Sequence, residues 1–211
     1  MKQHHLATTI QASYCTLNEL TDQTKCVWIV FHGQGMLAQY FIKKFEGLDS
    51  AEHFVIAPQG LSKYYLEGYT GRVGACWMTK EDRLTEIDNQ QSYLKAVVEQ
   101  ELGDFRTEKL ILFGFSQGAA TACRFGAFSG IRFHQLVLWA GLFPDDLPKE
   151  AVDHWSSDLD ITYFFADDDP FMRPGLKEMQ QQLIERAVGR TPRTVEYTGG
   201  HRVISELLAE I

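Results

Sequence analysis

Five short apolar runs divide the chain, and a turn-forming residue follows each of them closely. They are Val27–Phe31, Phe54–Ala57, Leu110–Phe113, Leu136–Ala140 and Ile161–Phe165. Short apolar runs bounded by turn signals indicate strands that are buried on both faces, as in a parallel sheet. Residues 195–197 form a weaker sixth candidate, and residues 7–15 are expected to add an antiparallel strand at one edge.

Segments with helical spacing of apolar residues, or rich in small residues, alternate with these runs. They are Met36–Phe45, Glu86–Leu102, Ala119–Phe128, Leu176–Val188 and Val203–Ile211. Alternation of strands and helices predicts an α/β fold with a mostly parallel central sheet and helices on both faces. Since no linker, repeat or low-complexity tract interrupts the 211 residues, a single domain over residues 1–211 is expected.

Residues 59–84 break this alternation. They show no clear period but contain several glycines, three tyrosines, a tryptophan and a methionine. Long loops without secondary structure are uncommon inside compact domains and are often functional. This segment is therefore expected to line or cover a binding pocket.

Composition excludes several classes of function. The chain has 20 Lys and Arg against 28 Asp and Glu, a net charge of −8, and no basic run, so no nucleic-acid partner is expected. The four cysteines form no CxxC pair, which argues against a zinc or redox site. No apolar run is long enough for stable membrane insertion. The N-terminal residues lack a signal-peptide pattern, which indicates a cytoplasmic protein.

The pattern G-x-S-x-G occurs at Gly114–Gly118, with Ser116 at its centre. An apolar run precedes it and a helix rich in small residues follows, so Ser116 is expected on a sharp strand-to-helix turn that exposes its hydroxyl. The helix N-terminus there favours developing negative charge. The alternative is close packing of the helix on the sheet without chemistry.

A serine nucleophile needs a base that accepts its proton. In a doubly wound α/β architecture, the catalytic residues follow along the chain in the order Ser, acid, His. His201 comes after the last candidate strand and two glycines, which places it at the same edge of the sheet. Asp169 follows the preceding strand and is our choice for the acid because Pro170 stiffens the turn; Asp168 is the alternative. Activity should fall at low pH, since a protonated His201 cannot accept the serine proton. A solvated loop histidine remains the alternative for His201.

An oxyanion hole requires backbone N–H donors. The residue after the nucleophile, Gln117, should supply one, and Gln34 in the glycine-rich turn after Phe31 should supply the other. Apolar residues expected to bind the substrate follow strand ends or lie in the 59–84 segment: Tyr64, Tyr65, Trp77, Met78, Leu142 and Phe143. For any one of the residues from the 59–84 segment, burial in the ordinary core is an equal alternative.

With these residues in place, the sequence resembles a known family. The segments Phe31–Gly35, Gly114–Ala119, Asp169-Pro170 and Gly200-His201 are similar to α/β-hydrolase carboxylesterases of the acyl-protein thioesterase and lysophospholipase type. The resemblance implies a Ser116, Asp169, His201 triad and small ester or thioester substrates with an acyl chain. The mechanism expected of such a triad needs no metal or cofactor. The resemblance leaves a homodimer open.

Two other functions use the same residues. One is a peptidase or acyltransferase on the same triad. The other is a non-catalytic binding protein on a degenerate hydrolase fold, against which the complete set of Ser, Asp and His argues.

Overall fold

The computed structural model describes residues 1–211, which form nine strands, four α-helices and three 3₁₀ helices. The strands are β1 (Tyr14–Leu17), β2 (Cys26–Phe31), β3 (His53–Pro58), β4 (Ser62–Glu67), β5 (Thr70–Cys76), β6 (Lys109–Phe115), β7 (Gln135–Trp139), β8 (Asp160–Ala166) and β9 (Arg193–Tyr197). The α-helices are α1 (Ala38–Phe41), α2 (Arg83–Leu102), α3 (Gln117–Phe128) and α4 (Leu176–Val188). The 3₁₀ helices are Ile42–Phe45, Lys149–Ala151 and Ser205–Glu210. None of the helices is both long enough and apolar enough to cross a membrane.

Seven strands form one sheet in the order β1-β3-β2-β6-β7-β8-β9. All neighbouring pairs are parallel except β1 and β3. The five central apolar runs are buried because a separate hydrophobic cluster covers each face of the sheet. The predicted fold class, an α/β fold with a mostly parallel sheet, is confirmed.

The edge strand lies further along the chain than the sequence predicted. Residues 7–13 are not part of a strand, and the antiparallel strand is β1, whose residues 14–17 lie opposite residues 55–58. Its antiparallel direction and edge position were predicted correctly. Residues 1–11 are exposed and have no partner strand, so their β-forming side chains have nothing to pack on.

Two predicted helices differ in type from the expectation. The segment 36–45 contains only one turn of α-helix, α1, which continues as the 3₁₀ helix Ile42–Phe45, and the C-terminal helix is 3₁₀ throughout. Helix α1 nevertheless buries Ala38 and Phe41 in the core, so the apolar face was identified correctly. Short segments of this kind are held by tertiary packing rather than by their own helix propensity.

The segment 59–84 is not a structureless loop, so the expectation that it lacks secondary structure was wrong. Strands β4 and β5 form an antiparallel hairpin outside the main sheet, and α2 begins at Arg83. The base of the hairpin is tied to the turn after β2 by a bridge between Met36 and Ala75. Most hairpin residues are exposed, so the strands carry little of the alternating burial that would reveal them in the sequence.

Candidate active site

Ser116 occupies the turn between β6 and α3. Its backbone has φ 53° and ψ −120°, a conformation that a residue with a side chain rarely adopts. Two hydrogen bonds hold the turn: Ser116 N–H donates to the Trp139 carbonyl at 2.9 Å, and Ala119 N–H donates to the Ser116 carbonyl at 3.0 Å. The strain is thus offset by the neighbouring strand β7 and by the first turn of the helix.

The glycines around Ser116 are required by close backbone contacts. A Cβ on Gly118 would lie 2.1 Å from the Phe31 carbonyl oxygen, and one on Gly114 would lie 2.4 Å from the Ala119 Cα. The helix therefore does pack closely on the sheet, as the alternative interpretation of this motif held. That close packing is also what projects Ser116 beyond the end of β6.

Ser116, His201 and Asp169 form one hydrogen-bonded chain. The Ser116 Oγ lies 2.9 Å from His201 Nε2, and His201 Nδ1 lies 2.7 Å from Asp169 Oδ2. The Asp169 side chain is only 1% exposed, and its second oxygen accepts the Phe171 N–H at 2.8 Å. Because the carboxylate can only accept, it keeps the proton on Nδ1 and leaves Nε2 free to accept the serine proton.

Asp168, the alternative acid, has a different position. Its Oδ1 accepts the backbone N–H groups of Gly199 and Gly200 at 2.9 and 2.7 Å. These hydrogen bonds lower the pKa of Asp168. Asp168 therefore fastens the loop that carries His201, and Asp169 is the residue that contacts the imidazole.

The two expected oxyanion donors lie at the same end of the sheet. Gln34 and Gln117 both line the cavity that contains Ser116 and His201, and neither backbone N–H donates to a carbonyl of the surrounding turns. The side chain of Gln117 has a separate contact. It accepts the Trp77 N–H at 2.9 Å and donates to the Met78 carbonyl at 2.8 Å, which ties the end of the hairpin to the start of α3.

The cavity above Ser116 has a volume of about 700 Å³. Of the six residues predicted to bind the substrate, Tyr64 and Leu142 line it. Sequence reasoning missed six apolar residues of its wall, which are Leu66, Ala120, Ala140, Phe171, Met172 and Leu176. Leu66 was recoverable, since it lies two residues after Tyr64 and therefore on the same face of β4.

The other four predicted substrate residues do not line the cavity. Trp77 and Phe143 are buried core residues, at 1% and 2% exposure. Trp77 packs on Phe31 and donates its ring N–H to the His32 carbonyl, so it is part of the core and not of the cavity wall. Tyr65 alternates with Tyr64 and is half exposed. Met78 contributes its carbonyl to Gln117 instead.

No three His, Cys, Asp or Glu side chains are grouped so that they could hold a metal ion. Two aromatic rings flank the imidazole of His201 instead. Phe115 lies 4.9 Å and Phe171 lies 4.8 Å from it between ring centroids. Phe171 also lines the cavity and is 69% exposed. The only feature of the sequence that could have indicated this role is its position directly after Asp169-Pro170.

Comparison with known proteins agrees with this architecture. The sequence profile described as phospholipase/carboxylesterase matches residues 15–211. The chain belongs to the phospholipase/carboxylesterase family. No curated protein sequence matches the chain significantly.

Solved structures show the same fold at low sequence identity. Acyl-protein thioesterase 2 of Zea mays has a TM-score of 0.72 at 18% identity, over 95% of this chain and 96% of that one. The esterase PE8 has a TM-score of 0.63 at 19% identity, over 96% and 100% of the two chains. A phospholipase/carboxylesterase from Dyadobacter fermentans has a TM-score of 0.61 at 16% identity, over 92% and 89%. At these identities the likeness concerns the fold, whereas the profile match shows that the chain is a hydrolase of this family.

Proposed function

We propose that the protein hydrolyses carboxylic esters or thioesters of small to medium acyl chains through an acyl-enzyme on Ser116. The observation that carries the proposal is the hydrogen-bonded chain from Ser116 through His201 to Asp169. A serine hydroxyl is a weak nucleophile until a base accepts its proton, and this geometry supplies the base and the group that orients it.

In the first half-reaction, Ser116 Oγ bonds to the carbonyl carbon while His201 Nε2 takes its proton. The carbonyl oxygen becomes an alkoxide, which the N–H groups of Gln34 and Gln117 stabilise. When the alkoxide collapses, the bond to the alcohol or thiol breaks, and His201 returns the proton to that leaving group. Asp169 holds the imidazole in the required tautomer and stabilises the imidazolium.

In the second half-reaction, water attacks the acyl-enzyme. His201 accepts a proton from the water, and Ser116 leaves as the free hydroxyl with that proton. The products are a carboxylic acid and the regenerated enzyme. The apolar wall of the cavity, Tyr64, Leu66, Leu142 and Phe171, is placed to hold the acyl chain beside the serine.

The test is hydrolysis of p-nitrophenyl esters by wild type and by Ser116→Ala. The substitution should lower turnover roughly 10⁶-fold, as the loss of the nucleophile does in a serine protease. Retention of wild-type turnover by Ser116→Ala would show that Ser116 is not the nucleophile. A screen of esters, thioesters and lysophospholipids by chain length then identifies the preferred substrate class.

A fluorophosphonate probe separates this proposal from a non-catalytic binding protein. Labelling of the folded chain at Ser116 supports the enzyme, and its absence supports the binder. A peptidase or acyltransferase on the same triad would label equally, and amide hydrolysis or transfer to an added alcohol identifies it. The small-molecule substrate, a homodimer, the lack of a nucleic-acid partner and the cytoplasmic location stay predictions.

A further inference from the structure

His32 is a buried histidine that the triad does not use. It is fully buried at the end of β2, directly before the turn that carries Gln34. Its ring lies 4.8 Å from that of Trp77 and 6.5 Å from that of Phe41, between ring centroids. A buried imidazole of this kind must satisfy both of its nitrogens within the protein.

The surroundings of His32 determine which nitrogen carries the proton. Gly60 N–H lies 3.0 Å from Nε2, and a backbone N–H can only donate, so Nε2 is unprotonated. The Gln59 side-chain nitrogen is also 3.0 Å from Nε2, and its orientation is set by the Gln59 oxygen, which accepts the Ala38 N–H. The proton is therefore on Nδ1, which lies 2.8 Å from the carbonyl oxygen of Gly33.

The Gly33 carbonyl belongs to the same peptide unit as the Gln34 N–H. The chain contains no cis peptide bond, and in a planar trans peptide the C=O and N–H point in opposite directions. A donor that holds the carbonyl toward the buried imidazole consequently turns the Gln34 N–H the other way, toward the cavity. The carbonyl also accepts the Met36 N–H, at the longer distance of 3.2 Å.

The peptide unit lies directly against the nucleophile. A Cβ on Gly33 would be 2.9 Å from the Phe115 ring and 3.2 Å from the Cβ of Ser116, so a side chain there would displace its neighbours. Gly35, the third residue of the turn, has φ +78°, the value that a type II turn requires, and its N–H donates to the Ala75 carbonyl. The turn is thus held by the hairpin on one side and by His32 on the other.

We propose that His32 is the positioning residue of the oxyanion hole: its Nδ1–H holds the Gly33 carbonyl and thereby aims the Gln34 N–H at the oxygen of the tetrahedral intermediate. The same hydrogen bond polarises the peptide and makes the Gln34 N–H a stronger donor. The role requires a neutral imidazole, and burial lowers the pKa of His32 to about 4. This inference rests on the proposed function, because it assigns a part in ester hydrolysis at Ser116.

Two substitutions separate the two nitrogens of His32. In His32→Asn the amide nitrogen replaces Nδ1 and still donates to Gly33, whereas in His32→Gln the amide oxygen replaces Nε2 and the donor to Gly33 is lost. Since loss of one oxyanion donor costs about 10²–10³ in turnover, His32→Gln should lower kcat about 100-fold with KM unchanged. His32→Asn should retain kcat within about 10-fold of wild type.

Thermal unfolding separates this role from a structural one. Both variants lose the buried ring and should unfold at lower temperature to a similar degree. His53→Gln is the control, because His53 Nδ1 accepts the Trp28 ring N–H at the opposite end of the sheet, and a glutamine oxygen replaces Nε2 instead. This substitution should lower stability without lowering kcat. Equal kcat in His32→Asn and His32→Gln, or a loss confined to KM, would overturn the proposal.

An NMR measurement tests the tautomer of His32 and the orientation of the Gln34 N–H independently of activity. The ¹⁵N spectrum of His32 should show a protonated Nδ1 and an unprotonated Nε2 at neutral pH, and the Gln34 amide resonance should shift more in His32→Gln than in His32→Asn. A proton on Nε2, or equal shifts, would overturn the proposal. If Ser116→Ala hydrolyses esters like wild type, the proposed function fails while these two spectra still decide the tautomer and the orientation.

Discussion

Two large cavities lie at opposite edges of the central sheet, and the larger of them is not where the reactive groups meet. The cavity at the carboxyl edge, about 700 Å³, contains Ser116, His201 and Asp169. The cavity at the amino edge, about 860 Å³, lies between the ends of α2 and α3 and includes Lys95 and Arg132 among its lining residues. Volume alone would therefore select the end of the molecule that lacks the hydrogen-bonded chain of Ser116, His201 and Asp169.

The direction of the parallel strands explains this difference. At the carboxyl edge, loops from β2, β6, β8 and β9 converge, and α3 begins there with its free N–H groups. At the amino edge, Lys95, Arg106 and Arg132 are exposed, and Arg106 donates to the adjacent Phe105 carbonyl. A hydrogen-bonded chain of side chains, rather than cavity volume, therefore distinguishes the carboxyl edge from the amino edge.

The largest effect expected in the carboxyl-edge cavity, after loss of Ser116, is that of Asp169→Asn. It should lower kcat roughly 10⁴-fold, because an amide cannot hold the imidazole in the required tautomer. Asp168→Asn is the matched control, since its oxygen still accepts the N–H groups of Gly199 and Gly200. Turnover of p-nitrophenyl acetate measures both, and a larger loss for Asp168→Asn would make that residue the catalytic acid.

The next prediction concerns His32, which lies at the same edge, and the pH dependence of the free energy of unfolding. The pKa of His32 is about 4 in the folded protein and about 6.5 when unfolded. Between these pH values the unfolded chain binds more protons than the folded protein does. The stabilising contribution of neutral His32 to the free energy of unfolding is therefore present above pH 6.5 and lost as the pH falls to 4. It amounts to about 3 kcal/mol.

Urea unfolding of wild type and His32→Asn from pH 4 to 7 measures this contribution. The stability difference between them should shrink as the pH falls, since the contributions of surface carboxylates are common to both proteins. A difference that stays constant with pH would mean that His32 has the same pKa in the folded and the unfolded protein.

A smaller effect tests the wall of the carboxyl-edge cavity. Tyr64 lines it and the adjacent Tyr65 does not, because successive side chains of a strand point to opposite faces. Tyr64→Ala should raise KM for a ten-carbon acyl ester about 5-fold, for a partly buried ring worth about 1 kcal/mol, and leave acetate unchanged. Tyr65→Ala is the control. Equal effects of the two substitutions would argue that the hairpin acts only through its stability.

The smallest effect is expected at the amino edge. Arg106→Ala and Arg132→Ala should change kcat/KM by less than about 2-fold for every ester, as is usual for exposed side chains remote from the chemistry. Kinetics on short and long esters measure this. A loss that grows with chain length would show that the amino-edge cavity also binds substrate, and the contrast between the two edges would fail.

The sequence was sufficient for the parallel sheet and for the residues now found in hydrogen-bonded contact at its carboxyl edge. The central strands are buried on both faces and short, so their apolar runs have clear limits. Parallel strands also bring their carboxyl ends to one edge, which makes the order Ser116, Asp169, His201 informative.

The rest could not be predicted, because it depends on contacts between distant segments. Of the adjacent residues Leu142 and Phe143, one lines the cavity and the other is buried against Trp155, and no local pattern distinguishes them. The hairpin was missed since its strands are mostly exposed and shift register between Tyr65 and Glu67. The environment of His32 depends on Gly60, which is 28 residues away in the chain.

The bridge between Met36 and Ala75 has a consequence for redesign of the protein. It fastens the base of the hairpin to the turn that carries Gln34, whereas the tip around Gly68 and Tyr69 projects into solvent. Residues added at the tip would lengthen the exposed end of the hairpin without altering which side chains face the cavity. A single residue inserted between Ser62 and Tyr64 would exchange the faces of β4 on which Tyr64 and Tyr65 lie. One inserted codon would then replace Tyr64 by Tyr65 in the cavity wall.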